Sequence, residues 1–153
     1  MAFMLTSAAF KSGGAIPSRY TCDGDNISPS LSWSGLPADA RSFALICADP
    51  DAPAGTWYHW GVYDIPAETT NLPEAYPAAG RGAVKQALND FRHRRYDGPC
   101  PPHGHGTHHY HFKLYVLDTA SLALNRDADC RAVETAAQAH ALGRAELVGT
   151  YGR

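Results

Sequence analysis

The sequence predicts a mainly β domain, with an antiparallel sandwich-like core and one helix near its C-terminal end. Short segments rich in β-branched and aromatic residues alternate with proline- and glycine-rich breaks, a pattern typical of antiparallel sandwiches. A single alanine-rich stretch has helical periodicity instead. Because 153 residues suffice for one hydrophobic core and no linker divides the chain, residues 1–153 are expected to form one domain.

Five segments that precede the helix have the composition of strands, and turn-forming residues separate them. The predicted strands are residues 3–10, 42–48, 58–65, 82–88 and 109–117. The helix is predicted over residues 128–141, because side chains recur there with helical spacing on one face. That face consists of Val133, Ala136, Ala137, His140 and Ala141. Gly143 is expected to end the helix, and residues 145–151 form a last short strand.

Charge and hydropathy exclude several classes of function. The chain has 13 basic and 15 acidic side chains, a formal net charge of −2 and no basic run, so no nucleic-acid partner is expected. The longest apolar run, residues 43–48, is far shorter than the roughly 20 residues of a membrane helix, which excludes stable membrane insertion. Residues 1–14 lack the pattern of a secretory signal, so a cytoplasmic location is expected.

The four cysteines do not form a known motif. They stand at positions 22, 47, 100 and 130, and no C-x-x-C pair occurs. Cys47 lies in a predicted strand and has the setting of a small buried hydrophobic residue. Cys22 and Cys100 both lie in predicted loops and are able to meet in space. For a cytoplasmic protein, however, free thiols are the expectation.

Five of the eight histidines fall within residues 103–111, just before and inside a predicted strand. Side chains alternate between the two faces of a strand, so His108 and Tyr110 share a face with the apolar residues that follow. That face points to the core, which places His108 and Tyr110 inward at the start of the strand. His109 and His111 then face solvent. A buried His108 bonded only to a carbonyl is the structural alternative.

A metal site in the histidine segment is the less favoured interpretation. His103 and His105 lie on a glycine-rich tip, whereas zinc sites use three or four rigidly held ligands with supporting contacts. No metal or other cofactor is therefore expected. A histidine-loop metal-binding protein remains an alternative.

Residues 49–60 hold a second concentration of polar groups. Asp49 and Asp51 follow a buried strand, and Pro50 and Pro53 stiffen this corner. His59 lies in the aromatic segment "WYHW". Carboxylates and an imidazole in rigid, aromatic surroundings are typical of a pre-formed ligand site. A simple Asx-turn is the structural alternative, and it accounts for one aspartate better than for two.

These motifs occur in a fixed order along most of the chain. They are "YTCDGDNISPSLSW" (20–33), "DPDAP" (49–53), "WYHW" (57–60), "GPCPP" (98–102), "HHYHFKLYVLD" (108–118) and "HALGRAELVGTY" (140–151). In this order they resemble the phosphatidylethanolamine-binding proteins, also called Raf-kinase-inhibitor-like proteins, and in particular their small bacterial branch. The resemblance extends over residues 20–151.

The resemblance implies a large central β-sheet packed on a smaller sheet, with a small anion-binding pocket at one end. Carried over by position, the pocket residues are Asp49, His59, Pro102, His108 and Tyr110. The resemblance also implies a cis peptide bond at Ala52–Pro53, a homodimer, and no established catalytic reaction. Members of the family are described as inhibitors of kinases or peptidases, so a kinase or peptidase is an expected protein target.

The expected ligand is a phosphate-type anion, either free or as a phosphorylated small molecule. His59 and His108 are suited to donate charge-assisted hydrogen bonds to anionic oxygens. Asp49 is expected to orient and charge a histidine, or to accept a bond from a protonated phosphate or an ammonium group. Such binding strengthens as the pH falls from about 8 toward 6, since histidines gain protons in that range.

A hydrolase is the main alternative function. Asp49, His59 and His108 have the residue types of a catalytic set, with Cys100 or Ser28 as nucleophile. No G-x-S-x-G elbow occurs, and Cys100 stands between prolines, so a binding protein is favoured over an enzyme. The chain also departs from the family at His109, where family members usually have arginine, a permanent charge.

Overall fold

The protein folds into two antiparallel sheets and one α-helix, as seen in a computed structural model that describes residues 2–153. In chain order the elements are β1 (Met4–Thr6), β2 (Leu31–Ser34), β3 (Ser42–Asp49), β4 (Trp57–Pro66), β5 (Asn71–Leu72), β6 (Lys85–Gln86), β7 (Thr107–Leu117), α1 (Cys130–His140) and β8 (Ala141–Gly152). The predicted mainly β fold with one helix near the C-terminal end is confirmed.

The larger sheet forms the centre of the molecule. It has five strands in the order β6-β4-β3-β7-β8, and the smaller sheet has three in the order β1-β2-β5. Neighbouring strands are antiparallel in both sheets. All residues of β3 are buried, because this central strand is covered on both faces. That burial explains why its sequence is a continuous apolar run and does not alternate.

Each face of the larger sheet packs against a different partner. One face meets the small sheet around Trp33, Phe43 and Phe112. The other face meets α1 around Ile46 and Val133. Because side chains alternate along β7, this strand contributes to both cores. The outward face of β7 is therefore open only near its start, and α1 covers the rest.

Several element boundaries differ from the sequence prediction. β1 and β6 are only three and two residues long, whereas strands were predicted over 3–10 and 82–88. β2 and β5 were not predicted. Gly143 does not end the helix: the chain passes directly from His140 into β8, with Ala141 already extended at φ −72° and ψ 123°. No left-handed residue is needed at this junction, so the predicted glycine cap is wrong.

The helix is anchored to the sheet by polar as well as apolar contacts. Its first turn is capped by Asp129, whose carboxylate accepts the Ala132 amide at 2.8 Å. Glu134 on its buried side pairs with Lys113 of β7 at 2.6 Å. His140 was predicted on the apolar face but lies at the exposed last turn. Within residues 2–153 no helix is long and apolar enough to cross a membrane.

Cys22 and Cys100 form a disulfide, so the expectation of free thiols at these positions is wrong. The bond joins the loop that follows a short 3-10 helix (Ser18–Tyr20) to the "GPCPP" loop. Backbone contacts bring these loops together, because the Cys22 amide donates to the Pro99 carbonyl at 3.1 Å. The two Cα atoms are consequently 5.4 Å apart, within the range that a disulfide spans. Cys47 is a buried free thiol, as predicted.

Candidate ligand-binding site

A cavity of about 340 Å³ opens at one edge of the larger sheet. β3 runs antiparallel to both β4 and β7, so the end of β3 meets the starts of its two neighbours at this edge. Asp49 ends β3, while β4 and β7 supply their first residues. The cavity is lined by Asp49, Ala52, Pro53, Ala54, Trp57, His59, Phe91, Cys100, Pro101, Pro102, His108 and Tyr110. Two sequence segments that are distant along the chain thus share one cavity.

A buried carboxylate–imidazole pair forms the floor of this cavity. His108 Nδ1 lies 2.6 Å from Asp49 Oδ2, and the two residues are only 2% and 3% exposed. Asp49 Oδ1 accepts the Asp51 amide at 2.8 Å. Asp49 therefore forms the Asx-turn through Oδ1, while its Oδ2 contacts His108 at the cavity floor. Since Nδ1–H of His108 donates to the carboxylate, the tautomer and orientation of this ring are fixed.

His59 is the second imidazole of the cavity and is held differently. Its Nδ1–H donates to the Asp97 carbonyl at 2.7 Å, and the residue is 3% exposed. Burial lowers the pKa of His59 below its ordinary value, although the bond to Asp97 opposes this shift. The ring is therefore neutral near pH 7. With Nδ1 engaged, the nitrogen left to meet a ligand is Nε2, which then carries a lone pair.

Aromatic rings enclose the two histidines. The His59 ring makes edge contacts with Phe91 and Tyr110, with centroids 5.3 and 5.2 Å away. Trp57 packs edge-on against Phe91 at 5.4 Å. Burial raises the pKa of Tyr110 well above its ordinary value, so its phenol keeps its proton at neutral pH. The cavity is thus mainly apolar, with a few polar atoms at its floor, as ligand sites commonly are.

The glycine-rich tip contributes a contact that sequence reasoning missed. His105 Nδ1 lies 2.6 Å from His108 Nε2, so the second nitrogen of His108 is also engaged. From the sequence, His105 was expected only to lie on the glycine-rich tip, without a role in the pocket. The available signal was the three-residue spacing of His105 and His108 across Gly106, which lets the tip fold back over the start of β7.

Asp51 and His109 lie beside the cavity but do not line it. His109 Nδ1 lies 2.8 Å from Asp51 Oδ2, and both side chains are about half exposed, at 52% and 42%. His111, on the same outward face of β7, lies 3.2 Å from Glu146. Of the six candidate residues, five line the cavity and Asp51 does not; the five are Asp49, His59, Pro102, His108 and Tyr110. His109, where arginine was expected, is a surface residue.

Comparison with known proteins decides the family. The model of the phosphatidylethanolamine-binding protein family matches residues 6–152. The chain belongs to the phosphatidylethanolamine-binding protein family.

Relatives of this phosphatidylethanolamine-binding protein share nearly its whole length. A protein of Methanothermobacter thermautotrophicus named UPF0098 is 51% identical over 152 residues, covering 97% of this chain and 98% of its own. The crystal structure of YbcL from Escherichia coli superposes with a TM-score of 0.94 at 34% identity, covering 100% and 99% of the two chains. The crystal structure of the homologue CT736 of Chlamydia trachomatis superposes with a TM-score of 0.88 at 38% identity, covering 99% of this chain and 98% of its own. The predicted bacterial branch of the family is confirmed.

One expectation drawn from the family does not hold in this phosphatidylethanolamine-binding protein. No peptide bond within residues 2–153 is cis, so the expected cis bond at Ala52–Pro53 is wrong. The Gly55 amide donates to the Ala52 carbonyl at 3.0 Å. This closes a four-residue turn with Pro53 in its second position, where the proline ring fits a trans bond.

The two nucleophiles considered for a hydrolase are not placed beside the cavity histidines as free groups. Cys100 is bonded to Cys22. The Ser28 hydroxyl accepts the Tyr76 amide at 2.9 Å, and Ser28 does not line the cavity. Among residues 2–153, no three histidine, cysteine, aspartate or glutamate side chains converge as metal ligands.

Proposed function

We propose that this protein binds a phosphate-type anion, as inorganic phosphate or a phosphomonoester headgroup, in the cavity at the end of β3. The observation that carries this proposal is the buried pair of Asp49 and His108 at the cavity floor. Nδ1 of His108 is held by this carboxylate at 2.6 Å, so Nε2 is the ring nitrogen that faces an incoming ligand. When the ring carries a proton on both nitrogens, Nε2–H donates a charge-assisted hydrogen bond to an anionic oxygen.

His59 sets a second requirement for the ligand. The available Nε2 of His59 carries a lone pair. This nitrogen therefore accepts a hydrogen bond from a P–OH group, or it gains a proton when a fully ionised anion binds. The first case favours a ligand that carries its own proton, whereas in the second case His59 takes the proton from solvent. Trp57 and Phe91 shape an apolar mouth that also suits an attached ammonium group through cation–π contact.

The pH dependence follows from the state of His59. Binding of an anion raises the pKa of this ring relative to the free protein, so affinity grows as the pH falls through the bound-state pKa. The growth stops only below the free-protein pKa, which burial places under the ordinary value of 6.5. Affinity is therefore expected to rise from pH 8 to pH 6.

Calorimetric titration of untagged, metal-stripped protein with phosphate, O-phosphoethanolamine and sulfate tests the proposal. Phosphate is expected to bind one site and to exceed sulfate at pH 8, since only phosphate carries a proton for His59 there. At pH 6 the difference in affinity between phosphate and sulfate is expected to be smaller. His108→Ala is expected to abolish binding, while His109→Ala, its exposed neighbour on the opposite face, keeps affinity within about twofold.

Three outcomes would contradict this function. Equal affinity at pH 8 and pH 6 would remove the histidine mechanism. Binding that appears only after zinc is added would favour the metal-binding alternative, and turnover of simple esters or phosphoesters would favour the hydrolase. His59→Phe provides a second variant if His108→Ala fails to fold, because it keeps a ring against Phe91 and Tyr110 while removing both nitrogens.

A further inference from the structure

The two nitrogens of the His108 ring are both engaged within the chain. Nδ1 lies 2.6 Å from Asp49 Oδ2, and Nε2 lies 2.6 Å from His105 Nδ1. The position at Nε2 is the one that an anionic oxygen needs in the proposed function. An imidazole nitrogen and a phosphate oxygen cannot both occupy it.

We propose that His105 is a built-in competitor for the ligand, and that its side chain must leave His108 before an anion binds there. The proposal rests on the proposed function for the identity of the site. It assigns to the "HGHGT" tip the role of a movable cap whose imidazole imitates the contact of the ligand. His105 thereby sets the apparent affinity of the pocket and does not contribute to holding the anion.

The attachment of the tip fits a movable cap. Besides the imidazole contact, residues 103–106 are held by two backbone bonds, from the His105 amide to the Pro102 carbonyl at 3.1 Å and from the Gly104 amide to the Arg153 carbonyl at 2.8 Å. Gly104 and Gly106 have φ angles of +77° and +93°, and a Cβ at either would meet nothing within 4 Å. The tip is therefore unpacked and flanked by residues able to act as hinges.

The size of the effect follows from population arithmetic. An ordinary net hydrogen bond between the two rings favours the capped form by about fivefold. The apparent affinity is proportional to the fraction of molecules in the open form, so a preference for the capped form lowers it. Removing the His105 side chain is consequently expected to tighten binding of phosphate by about sixfold, since only about one wild-type molecule in six is open.

The first test compares phosphate titrations of wild type, His105→Ala and His103→Ala at pH 7. His103 is the matched control, since it lies on the same exposed tip without contacting His108. His105→Ala is expected to bind about sixfold more tightly, and His103→Ala like wild type. Free imidazole is expected to compete with phosphate more strongly in His105→Ala than in wild type, because it fills the vacated position. Weaker or unchanged binding in His105→Ala overturns the inference.

A second test needs no ligand and separates the two proposals. Diethyl pyrocarbonate modifies accessible imidazole nitrogens, and peptide mass spectrometry locates the product. His108 is expected to react faster in His105→Ala than in wild type or His103→Ala. If no variant binds phosphate, the proposed function fails while this rate still decides whether His105 caps His108. Equal rates in all three proteins overturn the cap.

Discussion

Removing the disulfide between Cys22 and Cys100 is expected to lower the free energy of unfolding by about 4.5 kcal/mol. The bond closes a loop with a sequence separation of 78 residues. In the chain-entropy relation, a loop of this size restricts the unfolded chain by about 15 cal/mol/K, which gives that value at 25 °C. The double variant Cys22→Ser/Cys100→Ser is the perturbation.

The folded state is expected to survive this change, because other contacts join the same loops. Tyr96 Oη donates to the Tyr20 carbonyl at 2.7 Å, and the Gly98 amide donates to Asn26 Oδ1 at 2.8 Å. Urea unfolding followed by tryptophan fluorescence measures the difference, and reduced wild type is the control that should match the double variant. A loss below about 1 kcal/mol would refute an origin in the unfolded chain.

Two further predictions concern buried carboxylates. Asp49→Ala is expected to cost about 3 kcal/mol in urea unfolding at pH 7, because it leaves His108 Nδ1–H and the Asp51 amide without their acceptor. Asp51→Ala, in an exposed pair, should cost less than about 1 kcal/mol, and equal losses would contradict the argument. Burial opposes ionisation of Glu134, but hydrogen bonds from Lys113 and two tyrosines hold the pKa of this carboxyl below its ordinary value. The ionised Glu134 therefore stabilises the folded state at neutral pH, and this contribution is lost as the pH falls through the lowered pKa. Glu134→Gln should therefore flatten the loss of stability below about pH 5, and an unchanged acid profile would contradict this.

The sequence was most informative where strand periodicity and burial coincide. Alternation along β7 predicted that Tyr110 and His108 point inward, and both are buried. The prediction succeeds because one face of this strand is buried from its second residue onward. The rigid corner at Asp49 was also recognisable, since prolines restrict few alternatives there. Antiparallel pairing of β3 with both neighbours then brings these segments to one edge.

The periodic patterns of strands and helices do not predict contacts between loops. Nothing local in "TCDG" or "GPCPP" reveals that Cys22 and Cys100 approach within 5.4 Å, because this depends on where each loop packs. The contact of His105 with His108 depends likewise on the fold of the tip. Short strands such as β5 contain too few residues for any periodicity to appear.

The double role of β7 has a practical consequence for finding the natural ligand. This strand supplies the cavity with His108 and Tyr110 and continues directly into the main core through Phe112 and Leu114. A molecule that occupies the cavity binds only folded chains, so saturation at 100 times its dissociation constant adds about 2.7 kcal/mol to the unfolding free energy. For a chain of this size that corresponds to roughly 5 to 10 °C in melting temperature. Phosphorylated metabolites can therefore be screened by thermal denaturation without a labelled ligand.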